Sequence, residues 1–149
     1  MGGSLTVLIG PPAAGKSTWR QNFKGEVIST DAIRREKFGV QYDPRIEPAV
    51  WRLAYVKLRQ ALAEGKDVCF DATNTTRARR QPLIRLAKEY GATVRAVVFL
   101  HDLELLLRRN AARPPGKRVP DEVILTKYEE FQMPTYEEGF DSIEVIEGT

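Results

Sequence analysis

The sequence predicts an α/β protein of three layers, with a central, mostly parallel sheet of about four to five strands and helices on both of its faces. Three observations predict it. Short apolar runs of β-forming residues alternate with longer stretches of helical periodicity along the chain. The first run stops at Gly10-Pro11-Pro12 and helical sequence follows, so a strand leads through a turn into a helix. The composition, 42% hydrophobic and 29% charged over 149 residues, suits one buried core and one domain spanning residues 1–149.

The elements follow in order. Leu5 to Ile9 is the first strand, and helix begins at Lys16. Glu26 to Ser29 reads as a second short strand, after which Asp31 is a good N-cap for a helix from Ala32 to Phe38. Between Glu47 and Glu64, Val50, Leu53, Ala54, Leu58, Ala61 and Leu62 share one helical face, and Gly65 closes the helix. Asp67 to Phe70 is the third strand. A helix from about Thr76 to Tyr90 ends at Gly91, and Pro82 inside it calls for a kink or a later start. Thr93 to Leu100 is apolar apart from Arg95, which marks a buried fourth strand. Leu103 to Ala112 and Asp121 to Phe131 are helical, with Pro120 suited to a first turn. Ser142 to Ile146 is the last strand.

Several classes are excluded. No apolar run approaches the roughly 18 residues of a membrane span, and no signal segment opens the chain, so a cytoplasmic protein without a membrane partner is expected. The one cysteine, Cys69, falls in a buried strand and reads as an inert thiol. The net charge of +3 is unevenly spread. Arg108, Arg109, Arg113, Lys117 and Arg118 form one basic run and Arg77, Arg79, Arg80 and Arg85 another, while the chain after Asp121 is acid-rich. Such patches suit a polyanionic ligand, although a solvated face is their plainer reading.

Gly10-Pro11-Pro12-Ala13-Ala14-Gly15-Lys16-Ser17 matches the phosphate-loop pattern G-x-x-x-x-G-K-[ST]. Its glycines permit a tight loop whose amides point at phosphate oxygens, and the following helix offers its positive end. Gly10, Pro11, Ala13, Ala14, Gly15, Lys16, Ser17 and Thr18 are therefore expected to hold ATP or another nucleoside triphosphate. Lys16 faces the β and γ phosphates, and the Ser17 hydroxyl ligates Mg²⁺. No Asn-Lys-x-Asp base reader or Asp-x-x-Gly switch of a GTPase occurs. The third strand ends in a single carboxylate, Asp71, with no Glu beside it to activate water. Transfer to a bound acceptor is favoured over hydrolysis.

A hydroxyl kinase needs a base near the acceptor and a cation to hold it. Asp31 follows strand two and emerges at the carboxyl edge of the sheet beside the phosphate loop. Arg34 lies one turn further on the same face. Asp31 can take the proton while Arg34 grips an anionic group; spacing alone equally allows a capping Asp31 and a surface Arg34. Asp71 is placed to hold a water of the Mg²⁺ shell or merely to cap a turn. Residues from about 103 to 131 form a helical lid with its tip at Pro114-Pro115-Gly116-Lys117. Its Arg109 and Arg113 close over the triphosphate, with Arg113 the best candidate for stabilising transition-state charge. His101 has no visible partner and reads as a loop residue without a catalytic role.

With these residues the chain resembles the 5′-hydroxyl polynucleotide kinase family, the P-loop kinase domain of nucleic-acid end-healing enzymes. The resemblance covers nearly the whole chain. It is carried by Lys16-Ser17-Thr18-Trp19, Asp31-x-x-Arg34, Asp71-Ala72-Thr73-Asn74 leading to Arg79-Arg80, Ala87-Lys88-Glu89-Tyr90-Gly91, and Arg109-Asn110-x-x-Arg113 before Val119-Pro120. It implies a P-loop kinase fold and transfer of the γ-phosphoryl group to the 5′-OH end of DNA or RNA. Asp31 would be the general base, Arg34 would contact the phosphate beside the acceptor sugar, and Arg113 would hold the donor phosphates. No Asp-x-Asp phosphatase signature occurs, so 3′-phosphatase activity is not expected. The span between Arg34 and Glu47 is expected to line the acceptor entrance. Two other readings stay open: a kinase of a small hydroxyl compound such as a sugar or antibiotic, and a non-catalytic nucleotide-binding module.

Overall fold

The computed structural model describes residues 2–39 and 43–147. Five strands, β1 (Ser4–Ile9), β2 (Glu26–Ser29), β3 (Asp67–Asp71), β4 (Thr93–Leu100) and β5 (Ser142–Glu147), form one sheet in the order β2-β3-β1-β4-β5. Every pairing is parallel, with Leu5 of β1 beside Val68 and Val94. The helices are α1 (Lys16–Arg20), α2 (Thr30–Ile33), α3 (Glu47–Ala63), α4 (Arg77–Glu89), α5 (Leu103–Ala111) and α6 (Asp121–Glu130).

Alternation along the strands makes the three layers. Leu5, Val7 and Ile9 pack with Val50 and Leu58 of α3 and with Leu83 and Ile84 of α4. Leu8, Val97 and Phe99 face the other way, against Leu106 of α5 and Ile124 of α6. The chain first moves from β1 to one side, through β2 and β3, and then to the other, through β4 and β5. Strand order thus reverses at β1, and a crevice opens beyond the carboxyl ends of the central strands, where such sheets bind ligands.

Four local readings are corrected. Asp31 does not cap its helix: Ser29, the last residue of β2, accepts the Ala32 amide at 3.1 Å. The helix expected from Ala32 to Phe38 is α2 followed by a π-helical turn, Arg34–Phe38, which Gly39 ends at φ +70°. Thr76 caps α4 and Pro82 lies inside the helix, so no later start occurs. Leu83, Ile84, Leu86 and Ala87 are buried along it, and that packing outweighs the amide Pro82 lacks. Pro120 sits at the N-cap of α6 and not within its first turn. Of the expected acceptor entrance, residues 40–42 lie outside the described residues. Among the described residues no helix is long and apolar enough to cross a membrane.

Candidate active site

The turn after β1 is built on close contacts. A Cβ on Gly10 would meet Phe99 Cβ at 3.2 Å, a tight fit that favours glycine here. Its amide donates to the Thr73 carbonyl at 2.9 Å, which ties the loop to the end of β3. Ala13 and Gly15 take φ of +68° and +100°, left-handed conformations of the kind that turn successive amides toward one anion. Below the loop, Asn74 is fully buried at φ +47° and donates to the Leu8 carbonyl at 2.8 Å. Arg80, also fully buried, donates to the Asn74 carbonyl at 3.0 Å and is gripped by Glu138 at 2.8 and 3.1 Å.

Lys16 folds its ammonium back onto this loop, donating to the Gly10 and Pro11 carbonyls at 2.6 and 2.7 Å. Burial lowers its pKa to about 8, against the pull of the Asp71 and Asp31 carboxylates, and Arg113 lowers it further. Lys16 thus lies within electrostatic reach of Asp71, Asp31 and Arg113. Asp71 closes β3, where burial raises its carboxyl above the usual range while Lys16 and Arg20 oppose the shift. Its Oδ2 lies 3.2 Å from the Arg20 guanidinium. Ser17 and Thr18 are exposed in the first turn of α1. Among the described residues no group of three or more His, Cys, Asp or Glu side chains could hold a metal. One hydroxyl and one carboxylate fit a hard cation that takes its remaining oxygens from phosphates and water.

Asp31 offers a carboxylate whose side chain is 66% exposed, 2.6 Å from Nη1 of Arg34. Arg34 is buried and much engaged. Its Nη1 also lies 3.4 Å from the Thr30 hydroxyl, and its Nε and Nη2 donate to both Glu47 oxygens at 2.7 and 2.6 Å. Burial opposes its charge, but Glu47 and Asp31 together raise its pKa. Sequence reasoning treated Arg34 as a free cation and Glu47 only as the start of a helix; the structure joins them with Asp31 in one chain of charges.

The segment from α5 to α6 is held at its base by Asn110, which is buried, donates to the Val119 carbonyl at 2.7 Å and accepts its amide at 3.1 Å. Arg113 is half-buried beyond it. Its Nη1 is enclosed with no hydrogen-bond partner among the described residues, and burial lowers its pKa while Asp31 opposes. Arg109 comes within 3.9 Å of the position a Cβ on Gly15 would take. His101, read from sequence as partnerless, lies 2.6 Å from the Ala14 carbonyl and 3.5 Å from Arg109. Nothing in its sequence context signals this. The basic run on α4 also divides: Arg80 is a buried structural residue, whereas Arg77, Arg79 and Arg85 are exposed and Arg79 lies 4.2 Å over the Trp51 ring. Cys69 is buried, and burial pushes its thiol up to about 12, so it stays protonated and inert.

Comparison with known proteins places this geometry in a family. Residues 5–134 match the AAA_33 family, described as an AAA domain. The L-seryl-tRNA(Sec) kinase of Methanococcus maripaludis is 30% identical over 87% of this chain and 53% of its own length. The bifunctional polynucleotide phosphatase/kinase of Schizosaccharomyces pombe is 27% identical over 95% of this chain and 33% of its own. The chain therefore spans about half the length of the first of these and a third of the second. Among solved structures, a chain of the Pnkp1/Rnl/Hen1 RNA repair complex superposes with a TM-score of 0.75 at 24% identity, covering 86% of this chain and 43% of that one. The chain belongs to the AAA_33 family, and it has the fold of P-loop kinases.

Proposed function

We propose that this protein transfers the γ-phosphoryl group of ATP to the 5′-hydroxyl end of a DNA or RNA strand. One observation carries the transfer reading: an exposed carboxylate, Asp31, lies within electrostatic reach of Lys16 and of Arg113, whose Nη1 is enclosed with no hydrogen-bond partner among the described residues. The nucleotide tail lies in the loop amides, and Lys16 leaves the Gly10 and Pro11 carbonyls for the β and γ phosphates. Ser17 and, through water, Asp71 would hold Mg²⁺, which when bound would screen the phosphate charge. Asp31 takes the acceptor proton as the hydroxyl oxygen bonds to the γ-phosphorus and the bond to the β-phosphate oxygen breaks, releasing ADP. Arg113 meets the charge that develops on the transferring group. Arg34 aims Asp31, and a remaining N–H of its Nη2 serves the phosphate next to the acceptor sugar.

A nucleic-acid acceptor is supported by the exposed Arg77, Arg79 and Arg85 of α4, and by two curated relatives whose names both specify nucleic-acid substrates. The test is incubation with γ-labelled ATP, Mg²⁺ and a 5′-OH oligonucleotide. Label is expected on the oligonucleotide; label found only on sugars or as free phosphate rejects the acceptor assignment. Asp31→Ala should lower transfer by about 10²–10⁴-fold, the usual worth of a general base, and leave ATP binding intact. Collapse of ATP binding in that variant would make Asp31 structural.

A further inference from the structure

We propose that His101 is a positioning residue of the phosphate loop, orienting the Ala14–Gly15 peptide so that the Gly15 amide faces the nucleotide. The proposal rests on the nucleotide-binding reading of that loop. His101 follows β4, and its Nε2 lies 2.6 Å from the Ala14 carbonyl oxygen, 87 residues away in sequence. A carbonyl only accepts, so Nε2 carries the hydrogen and donates it. A trans peptide is planar, with its C=O and the following N–H pointing opposite ways. Drawing the Ala14 oxygen toward His101 therefore turns the Gly15 N–H away from it, toward the hollow enclosed by Ala13 and Gly15 in their left-handed conformations.

Two further facts favour this role over simple packing. Nδ1 of His101 is enclosed and has no hydrogen-bond partner among the described residues. Such an unmet polar atom carries a cost that leucine or phenylalanine would avoid. The nitrogen that is satisfied is the one on the loop. Arg109 cannot substitute for it: its Nη1 stands 3.5 Å from Nε2, whose hydrogen is already committed to Ala14, and so lies beside the ring as a neighbouring cation. The end of β4 thus supports the loop at two points, with Phe99 packed against Gly10 and His101 bonded to Ala14.

The test compares His101→Ala, His101→Phe and His101→Gln by calorimetric ADP and ATP affinity, by ATP kinetics, and by thermal melting without nucleotide. Loss of this hydrogen bond should weaken nucleotide binding about tenfold in the Ala and Phe variants. KM for ATP should rise in parallel, with kcat at saturating ATP and KM for the acceptor within about threefold of wild type. Gln can donate from its side-chain amide and should recover most of the affinity. Equal nucleotide affinity in wild type and His101→Phe overturns the proposal. So does a Gln variant as weak as Phe while its melting matches wild type, since shape and not donation would then matter. A wild-type protein that binds no nucleotide would overturn the loop reading itself, a result distinct from either of these.

Discussion

Asp31 is available for chemistry because Ser29 does the capping. A carboxylate that receives helix amides is tied to the backbone; among the described residues this one pairs with Arg34, which Glu47 holds from the other side. Glu47→Gln keeps the shape but loses the charge, so Arg34 should pair more tightly with Asp31 and make it a poorer base. We expect kcat to fall about tenfold, with KM for ATP unchanged. A rise in KM for ATP alone would place Glu47 on the donor side. Lys16 gives a pH prediction. Its pKa of about 8 is depressed by burial, and bound phosphates must raise it. A group whose pKa rises on binding contributes fully below its free value and is lost as pH climbs through the bound value. ATP affinity should therefore be flat below about pH 8 and fall above it, by up to about tenfold per unit. Lys16→Met should bind weakly and without that slope when titrated across the same range. The positions of Lys16, Asp31 and Asp71 were legible in the sequence because a short motif and the strand ends fix where each emerges. Glu47 and His101 were not, because their partners lie 13 and 87 residues away and only the fold brings them together.

Among the elements, the strands were legible nearly to the residue, since short continuous apolar runs of β-forming residues mark most of them. The second helix was not. Ser29 and Asp31 are both strong cap formers two residues apart, and propensity does not separate them. Nor does any residue pattern announce the π-helical turn that carries Arg34 into line with Glu47. The connection from β3 to α4 bears on both stability and binding, because Thr73 holds the Gly10 amide and Asn74 the end of β1. Its anchor is the ion pair between Arg80, fully buried, and Glu138, whose side chain is 5% exposed. Glu138→Ala strands that guanidinium in the core and should cost about 3–5 kcal/mol in denaturant unfolding. Replacing both members with leucine should recover much of the loss, since the uncompensated charge goes with its partner. If the double variant is as unstable as the single one, packing around Glu138, which also accepts the Thr135 amide, is the larger contribution.

Across the whole molecule, a net charge of +3 is too small to bind a polyanion by itself, so the placement of charge decides. Folding sorts the arginines that the sequence lists together. Arg34 and Arg80 go inside with carboxylate partners, and Arg113 is half-buried with one nitrogen that has no hydrogen-bond partner among the described residues. Arg77, Arg79 and Arg85 remain exposed on α4, the helix that starts from the floor of the phosphate loop. Arg79 has its guanidinium carbon 4.2 Å over the ring of Trp51, one helical turn beyond Glu47, which keeps its charge next to the proposed acceptor side. If the acceptor is a nucleic acid strand, each cation that touches a phosphate displaces about 0.7 counterions from a single strand. Anisotropy titrations of a labelled 5′-OH oligonucleotide between about 50 and about 300 mM salt should then give a log–log slope near −2, as for about three contacts. Arg79→Ala should make that slope shallower by roughly 0.7 and weaken binding of unrelated sequences alike. Asp31→Ala should leave the slope unchanged, because it removes the base and no phosphate contact. A wild-type slope near zero, with label still transferred to small hydroxyl compounds, would move the acceptor from a strand to a small molecule while leaving the phosphate loop and Asp31 in their roles.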